Sequence, residues 1–419
     1  MKLITKLIPF LTIVFFFNCS AEKDQSLEIK GKTIGIDSKS ILLVKAGQYL
    51  DSDSIIEIPV TDGKFHYKTK LDFPESAELF LGTAKTQGGG RYMPLFLNNE
   101  KIDLTIYPEE EFNKNQVVGG KLNSEYKKYK ENYDNKFNSR IKPLQDSISL
   151  LFENDQYNSD KAKSLYAELR KTKSHDEKII IYEKLGDLKE ANQHLSPKAE
   201  TIENKLKPLY DEQKNYQQEY IENNPSIVSY SFFIKDLMYN QENLDINLVK
   251  NNLQILSEAN PNHPYNELAS NLVNAIANIK VGKKYTDFSA PDLNGNEIKL
   301  SDKIDGKIAL LDLWATWCGP CIAKSRTMIP LYDEFKNKGF TIVGVAGERK
   351  NTDRLVKFLE KEKWPWLNLV ELDKQNNIWQ KYNVDGGGGG IFLIDEKGVI
   401  LAKDPTAEEV RNELESRLN

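Results

Sequence analysis

The sequence predicts a chain of mixed α/β class in three parts: an antiparallel β domain, a helical middle region and a C-terminal α/β unit. Three observations carry this. Apolar residues alternate with period two from 26 to 118, recur at helical spacing from 119 to 281, and form alternating strands and helices from 282 to 419. A length of 419 residues allows two to three domains. The 57 Lys+Arg against 62 Asp+Glu leave a net charge of −5, which argues against a nucleic-acid binder driven by basicity. An apolar content of 39% excludes a multi-pass membrane protein, and three Cys exclude a disulfide-stapled scaffold.

Residues 1–25 read as a leader and tether. Lys2 and Lys6 precede an apolar run from Leu7 to Phe17, which has the length of a signal-peptide core and is too short to span a bilayer. Cys19 follows directly and resembles the lipidated cysteine of bacterial lipoproteins, although Asn18 stands where that family usually has a small residue. Acyl chains on Cys19 would anchor the chain to a membrane. Cleavage after Ala21 would instead release a soluble secreted protein. Either way the chain leaves the cytoplasm, and the anchored form faces the periplasm from the cell envelope.

Over 26–118, Leu27/Ile29, Phe65/Tyr67, Leu79/Leu81, Leu95/Leu97 and Ile102/Leu104/Ile106 alternate as half-buried strands do. Asp62-Gly63 and Asn98-Asn99 mark turns between them. A small sandwich or barrel is expected, with Gly88 to Gly90 as a mobile loop. Over 119–281, Leu150, Leu151, Tyr157, Tyr166 and Leu169 suit one helix pair. Ile179, Ile180, Ile181 and Leu185 suit another, followed by Leu206, Leu209, Tyr216 and Tyr220. Asn224-Pro225, Asn260-Pro261 and His263-Pro264 break helices. The tyrosines at this spacing are packing residues. The four His are scattered without ligand spacing, so no metal site is expected.

Over 282–419, strands are expected at Lys307 to Leu313, Phe340 to Ala346, Ile391 to Asp395 and Val399 to Ala402. Helices are expected at Cys321 to Lys338, Asp353 to Lys363, Lys374 to Tyr382 and Ala407 to Leu418. The first strand runs into Trp317-Cys318-Gly319-Pro320-Cys321, and a Cys-x-x-Cys in that setting reads as a thioredoxin-like redox pair. Cys318 falls at a helix N-terminus, where free N–H groups favour a thiolate. It is expected to be the exposed nucleophile, with Cys321 covered one turn on as the resolving thiol. Pro320 suits the first helical turn. Half a zinc site would need a second ligand pair, which the chain lacks. A purely structural disulfide would close too short a loop to stabilise much.

The stretch Leu311 to Cys321 resembles the active-site strand and loop of TlpA-like thiol–disulfide oxidoreductases, extracytoplasmic members of the thioredoxin superfamily. Val281-Gly282, Phe288 to Gly295 and Leu300-Ser301-Asp302 are similar to that family's leading hairpin. The resemblance covers about 282–419 and implies a thioredoxin-like fold there. Residues 26–281 resemble the uncharacterised N-terminal extension of many lipoprotein members. The resemblance also implies a buried acid behind the second cysteine, which falls on Asp312, six residues before Cys318. A buried carboxyl with a raised pKa can exchange a proton with Cys321. Trp317 would form part of the rim that a client peptide touches, beside Gly319 and Pro320.

Three positions depart from the family pattern. Lys324 and Arg326 stand where many members have Glu and Pro. Gly386 to Gly390 stand where thioredoxin folds place a cis-proline against the cysteines, with Gly388 or Gly389 at the proline position. This glycine run is expected to be mobile in the free protein and to order on a client. No cofactor is called for, since the redox group is the Cys318–Cys321 disulfide itself. The expected function is an envelope-anchored protein disulfide reductase. Its partners would be extracytoplasmic protein thiols and disulfides, together with a membrane thiol donor that re-reduces it. Two other readings stay open: a thiol peroxidase, with Thr316 two residues before Cys318, and an envelope-binding lipoprotein with a redox-sensing or vestigial terminal domain.

Overall fold

The computed structural model describes residues 26–50, 52, 54–173, 175–240, 244–349, 351–384 and 388–418. The leader with Cys19, and Gly386 and Gly387 of the glycine run, lie outside the described residues.

Period-two alternation yields β1 (Leu27–Thr33), β2 (Ser40–Lys45), β3 (Ile56–Pro59), β4 (Lys64–Thr69) and β5 (Glu75–Leu81). A one-turn helix α1 (Ala84–Gln87) precedes β6 (Met93–Leu97), β7 (Lys101–Ile106) and β8 (Gln116–Val118). The strands form two four-stranded sheets, β4-β1-β7-β8 and β3-β2-β5-β6. This is a sandwich, with Leu27, Ile29, Ile41, Leu43, Leu79 and Leu95 in one apolar cluster. One pairing departs from the antiparallel expectation: β1 and β7 run parallel, in register from Glu28/Lys101 to Thr33/Ile106. Gly88 is the left-handed C-cap of α1.

The middle region comprises α2 (Lys121–Glu153), α3 (Asp160–Lys171), α4 (His175–Glu190), α5 (Pro197–Asn223), α6 (Ile227–Tyr239), α7 (Ile246–Ala259) and α8 (Pro264–Asn278). Ser159, Ser196, Ser226 and Asp245 cap helix starts through their side chains. The expected proline breaks end α5 and α7 and open α8. Several tyrosines pack as expected, the Tyr129 ring lying 4.5 Å from Tyr220 and 4.7 Å from Phe232, whereas Tyr182, Tyr210 and Tyr239 are exposed. The α3–α4 pair differs from its sequence reading. Leu150, near the end of α2, and Ile180 are exposed, while Ile181 and Leu185 with Ala162 form a small buried cluster against which Tyr166 and Leu169 pack half-buried. Tyr157 lies in the turn after α2, stacked on Phe152 and donating to Glu203 Oε1 at 2.8 Å.

The C-terminal unit opens with the hairpin β9 (Ser289–Pro291) and β10 (Glu297–Lys299), then α9 (Ser301–Ile304). There follow β11 (Ile308–Trp314), α10 (Gly319–Phe335), β12 (Phe340–Glu348), α11 (Asp353–Glu362), β13 (Leu367–Leu372) and α12 (Ile378–Lys381). The chain closes with β14 (Gly390–Ile394), β15 (Ile400–Lys403) and α13 (Ala407–Leu418). The sheet order is β13-β12-β11-β14-β15. The first three strands are parallel, and β14 and β15 are antiparallel to their neighbours. Every residue of central β11 is buried, as in a sheet covered on both faces. Leu311 and Leu313 belong to one apolar layer, Leu310 and Trp314 to the other. Strand β13 was not foreseen, and α12 is a single turn where a longer helix was expected.

Candidate functional site

The site forms where β11 ends and α10 begins. Cys318 is the N-cap of α10, and its Sγ accepts the backbone N–H of Cys321 at 3.3 Å. This contact sets the sulfur against the free N–H groups of the helix start. Cys318 and Cys321 are joined by a disulfide, with Cα atoms 5.3 Å apart. The order of exposure corrects the sequence reading. Cys318 is only 8% exposed and Cys321 is half-buried. The capping geometry turns Cys318 back over the helix start, into the buried cluster that contains Ala315 and Trp379. Gly319 and Pro320 are exposed in the first turn.

Gly388 and Gly389 lie across both sulfurs. The Gly388 carbonyl oxygen is 2.9 Å from Cys318 Sγ and 2.5 Å from Cys321 Sγ. In the disulfide neither sulfur carries a proton; after reduction this carbonyl can accept from a thiol. Both glycines have positive φ, +83° and +106°. A Cβ on Gly389 would collide with the Leu313 carbonyl oxygen and stand 3.0 Å from Cys321 Sγ. Proline fixes φ near −65°, so neither position can take it without rebuilding the loop.

Asp312 lies beneath α10, on the β11 face shared with Leu310 and Trp314, and is 1% exposed. Ser325 Oγ is 2.6 Å from Asp312 Oδ2 and 2.9 Å from the carbonyl oxygen of Cys321. Asp312 Oδ1 has no partner. Burial pushes the carboxyl up to about 7, against the lowering effects of the Ser325 hydrogen bond and the Lys324 charge. Lys324 and Arg326 do not point their charge at the thiols: Lys324 pairs with Asp404 at 3.3 Å and Arg326 with Glu362 at 2.8 Å.

The rim is built by aromatic residues and satisfied acids. Trp317 is 38% exposed, donates Nε1–H to Gly347 O at 3.1 Å, and packs 5.8 Å from Trp379. Thr316 is buried, and its N–H and hydroxyl both donate to the Glu348 carboxylate, at 2.7 and 2.9 Å. Trp314 is fully buried and bonded to Asn368, a packing residue as expected. The structure thus brings together Cys318, Cys321, Asp312, Trp317, Gly388 and Gly389. Sequence reasoning missed Ser325 and Glu348. Ser325 carried a usable signal, since it stands four residues after Cys321 and so one helical turn along the same face.

Comparisons with known proteins match the first and last of the three regions separately. The AhpC/TSA family matches residues 281–403, and a domain of unknown function (DUF4369) matches residues 27–126. The chain is 35% identical over 142 residues to the thiol-disulfide oxidoreductase ResA of Geobacillus kaustophilus, covering 33% of this chain and 78% of that protein. It is 32% identical over 123 residues to the thiol:disulfide interchange protein DsbE of Pseudomonas fluorescens biotype C, covering 29% of this chain and 65% of that protein. Among solved structures, the thioredoxin domain of a thiol-disulfide oxidoreductase from Bacteroides vulgatus is 29% identical with a TM-score of 0.31, covering 33% of this chain and 99% of that one.

Proposed function

The chain belongs to the thioredoxin-like thiol–disulfide oxidoreductase family, and from that premise we propose that it is a TlpA-like protein disulfide reductase of the cell envelope. One observation carries the reading. Cys318 caps α10 with its sulfur and is bonded to Cys321, whose backbone carbonyl is linked through Ser325 Oγ to Asp312, a buried acid with an unpartnered oxygen.

The cycle follows from those positions. The Cys318 thiolate attacks one sulfur of a client disulfide, that S–S bond breaks, and the first client sulfur leaves and takes a proton from solvent. Cys321 then gives its proton to the Asp312 carboxylate and attacks Cys318 Sγ. The mixed disulfide breaks, and the second client sulfur leaves as a thiolate and is protonated. The client gains two electrons and two protons, and the protein is left with the Cys318–Cys321 disulfide. A dithiol donor in the membrane returns it to the reduced form. Trp317, Gly319, Pro320 and the Gly388–Gly389 backbone form the surface the client lies against.

Lipidation at Cys19 holds the chain at the membrane in this reading, supported by the charged and apolar leader that precedes it. Among the described residues no helix is long and apolar enough to cross a membrane. The peroxidase reading is weakened by Thr316, whose hydroxyl is already bonded to Glu348.

The test is insulin reduction by the full chain with dithiothreitol as electron source. Turnover is expected, with none in Cys318→Ser and covalent client complexes accumulating in Cys321→Ser. Complexes trapped by Cys318→Ser instead would reverse the two roles. Peroxide consumption without insulin reduction would overturn the reading. Incorporation of labelled palmitate that is lost in Cys19→Ser checks the anchor.

A further inference from the structure

The N-terminal sandwich reaches the rim of the redox site through Tyr49, in the connection from β2 to β3. The Tyr49 ring receives Lys374 Nζ 3.6 Å from its centroid and meets Tyr239 edge-on at 6.5 Å. Lys374 belongs to the β13–α12 connection. There Asp373, Lys374 and Asn377 all hold positive φ, at 43°, 61° and 54°. Asp and Asn adopt this conformation readily, whereas Lys374 does so only where its surroundings hold it. The imposing contacts are visible. Glu371 is buried and accepts the N–H groups of Ile378 and Trp379, at 2.7 and 3.3 Å. Asp373 N–H donates to Glu348 O at 2.8 Å. The chain is thus held in an unfavourable shape that presents Lys374 to Tyr49.

Between these elements lies a cavity of about 190 Å³, walled by Tyr49, Trp317 and Trp379, with Arg349, Lys374 and Gly388 at its edges. Gly388, whose carbonyl touches both sulfurs, is one of its lining residues, so the cavity ends one residue away from the disulfide. A cavity of about 150 Å³ is enough to hold benzene. Rings at right angles or offset attract at about 4.5–7 Å, and the 5.8 Å between Trp317 and Trp379 shows that spacing already in use on one wall.

We propose that this cleft is a client subsite that takes one aromatic side chain next to the disulfide under attack, with Tyr49 of the sandwich as its outer wall. The proposal rests on the disulfide-exchange reading above. It gives the N-terminal region a part in choosing clients: a polypeptide disulfide with an aromatic neighbour is preferred to the same disulfide without one.

The experiment uses the full chain and two cyclic peptides, each closed by one disulfide and differing only in Phe or Ala beside a cysteine. An aromatic contact of the usual strength predicts kcat/KM about three- to tenfold higher for the Phe peptide. Tyr49→Ala should bring that ratio close to one, and Tyr49→Phe should keep it. A merely structural role for Tyr49 would move both peptides alike and leave the ratio in place. A ratio near one in the unmodified chain overturns the subsite, whatever the variants do. So does an unchanged ratio in Tyr49→Ala. Failure to reduce either peptide or oxidised glutathione would instead overturn the exchange reading itself.

Discussion

The sandwich with its helical neighbour and the thioredoxin-like unit bury polar groups in opposite ways. Among the described residues of 26–281 the buried polar residues are neutral in charge: Ser, Asn and His263. In the C-terminal unit they include three carboxylates, Asp312, Glu348 and Glu371. A buried carboxylate costs several kcal/mol unless its oxygens find donors. Glu348 finds two in Thr316, and Glu371 finds two in the start of α12. Asp312 finds one and leaves its other oxygen unpartnered. The difference separates scaffold from chemistry: satisfied acids fix loops, and Asp312, left short of a donor and pushed up to about 7 by burial, can take a proton near neutral pH.

The sharpest way to break that contrast is Asp312→Asn. The unfolded acid titrates near its ordinary 3.8 and the folded one at about 7. Between those values the folded chain holds a proton that the unfolded chain has lost. Stability therefore falls as pH rises from about 4 to about 7, and the full loss, on the order of 4 kcal/mol, applies above 7. Asp312→Asn should remove most of that slope, leaving the variant more stable than the parent at pH 8 and similar at pH 4, while slowing resolution of the mixed disulfide. Urea unfolding at both pH values checks it, and equal destabilisation at both would contradict a buried, proton-binding acid. The helical region should respond with the opposite sign. His263 is held below its ordinary 6.5 by burial, with Nδ1 accepting the Tyr265 N–H and Nε2 donating to Pro74 O. Its contribution is present above about 6.5 and is lost as pH falls, and His263→Gln should flatten that acid limb.

The same Gly→Ala change should also carry opposite signs in the two regions. Gly389 has φ +106° and no room for a Cβ against Leu313 O. Strain and overpacking together predict a loss of about 2–4 kcal/mol for Gly389→Ala. Gly186 sits inside α4 with open space around it. There alanine should add about 0.5–1 kcal/mol. Thermal midpoints of the two single variants give the comparison, and a stabilising Gly389→Ala would show that the loop does not need its glycine.

The two regions also differ in how far their sequence could be read. The β11–α10 junction is local: a strand apolar except for Asp312, then Cys-Gly-Pro-Cys, so Cys318 and Cys321 were legible in the pattern, while the role of Asp312 was implied by the family resemblance. Helix α13 matches its expected bounds, Ala407–Leu418. Strand β13 was hidden because Asn368 and Glu371 look like surface residues, yet one accepts Trp314 Nε1 and the other caps α12. In the sandwich, alternation marks strands but not partners, so the parallel β1–β7 pairing, closed across some seventy residues, left no local trace. Helical spacing placed Leu150 and Ile180 in a core, but Leu150 near the end of α2 and Ile180 on α4 are exposed, the α3–α4 cluster being too small to reach them. Tyr49 meets the redox rim only through contacts more than 250 residues away in sequence, which no local pattern records.

The smallest expected effect tests whether Asp312 is tuned or merely buried. Ser325 Oγ has one proton and two acceptors in reach, Asp312 Oδ2 at 2.6 Å and Cys321 O at 2.9 Å. When Asp312 is ionised, the hydroxyl donates to the carboxylate. When Asp312 is protonated, the acid can donate to Oγ, and the hydroxyl proton is free to turn to the Cys321 carbonyl. The hydroxyl thus favours the ionised acid, the form that accepts the proton of Cys321. Ser325→Ala should raise the Asp312 pKa further, by about one pH unit, since a hydrogen bond to a charged group contributes about 1.5 kcal/mol. The inflection in the resolution rate, followed by stopped-flow decay of a preformed mixed disulfide across pH 5–9, should move up by that amount. Ser325→Thr, which keeps the hydroxyl, should hold it in place. A rate lowered equally at every pH, with the inflection unmoved, would mean that Ser325 only packs beneath α10.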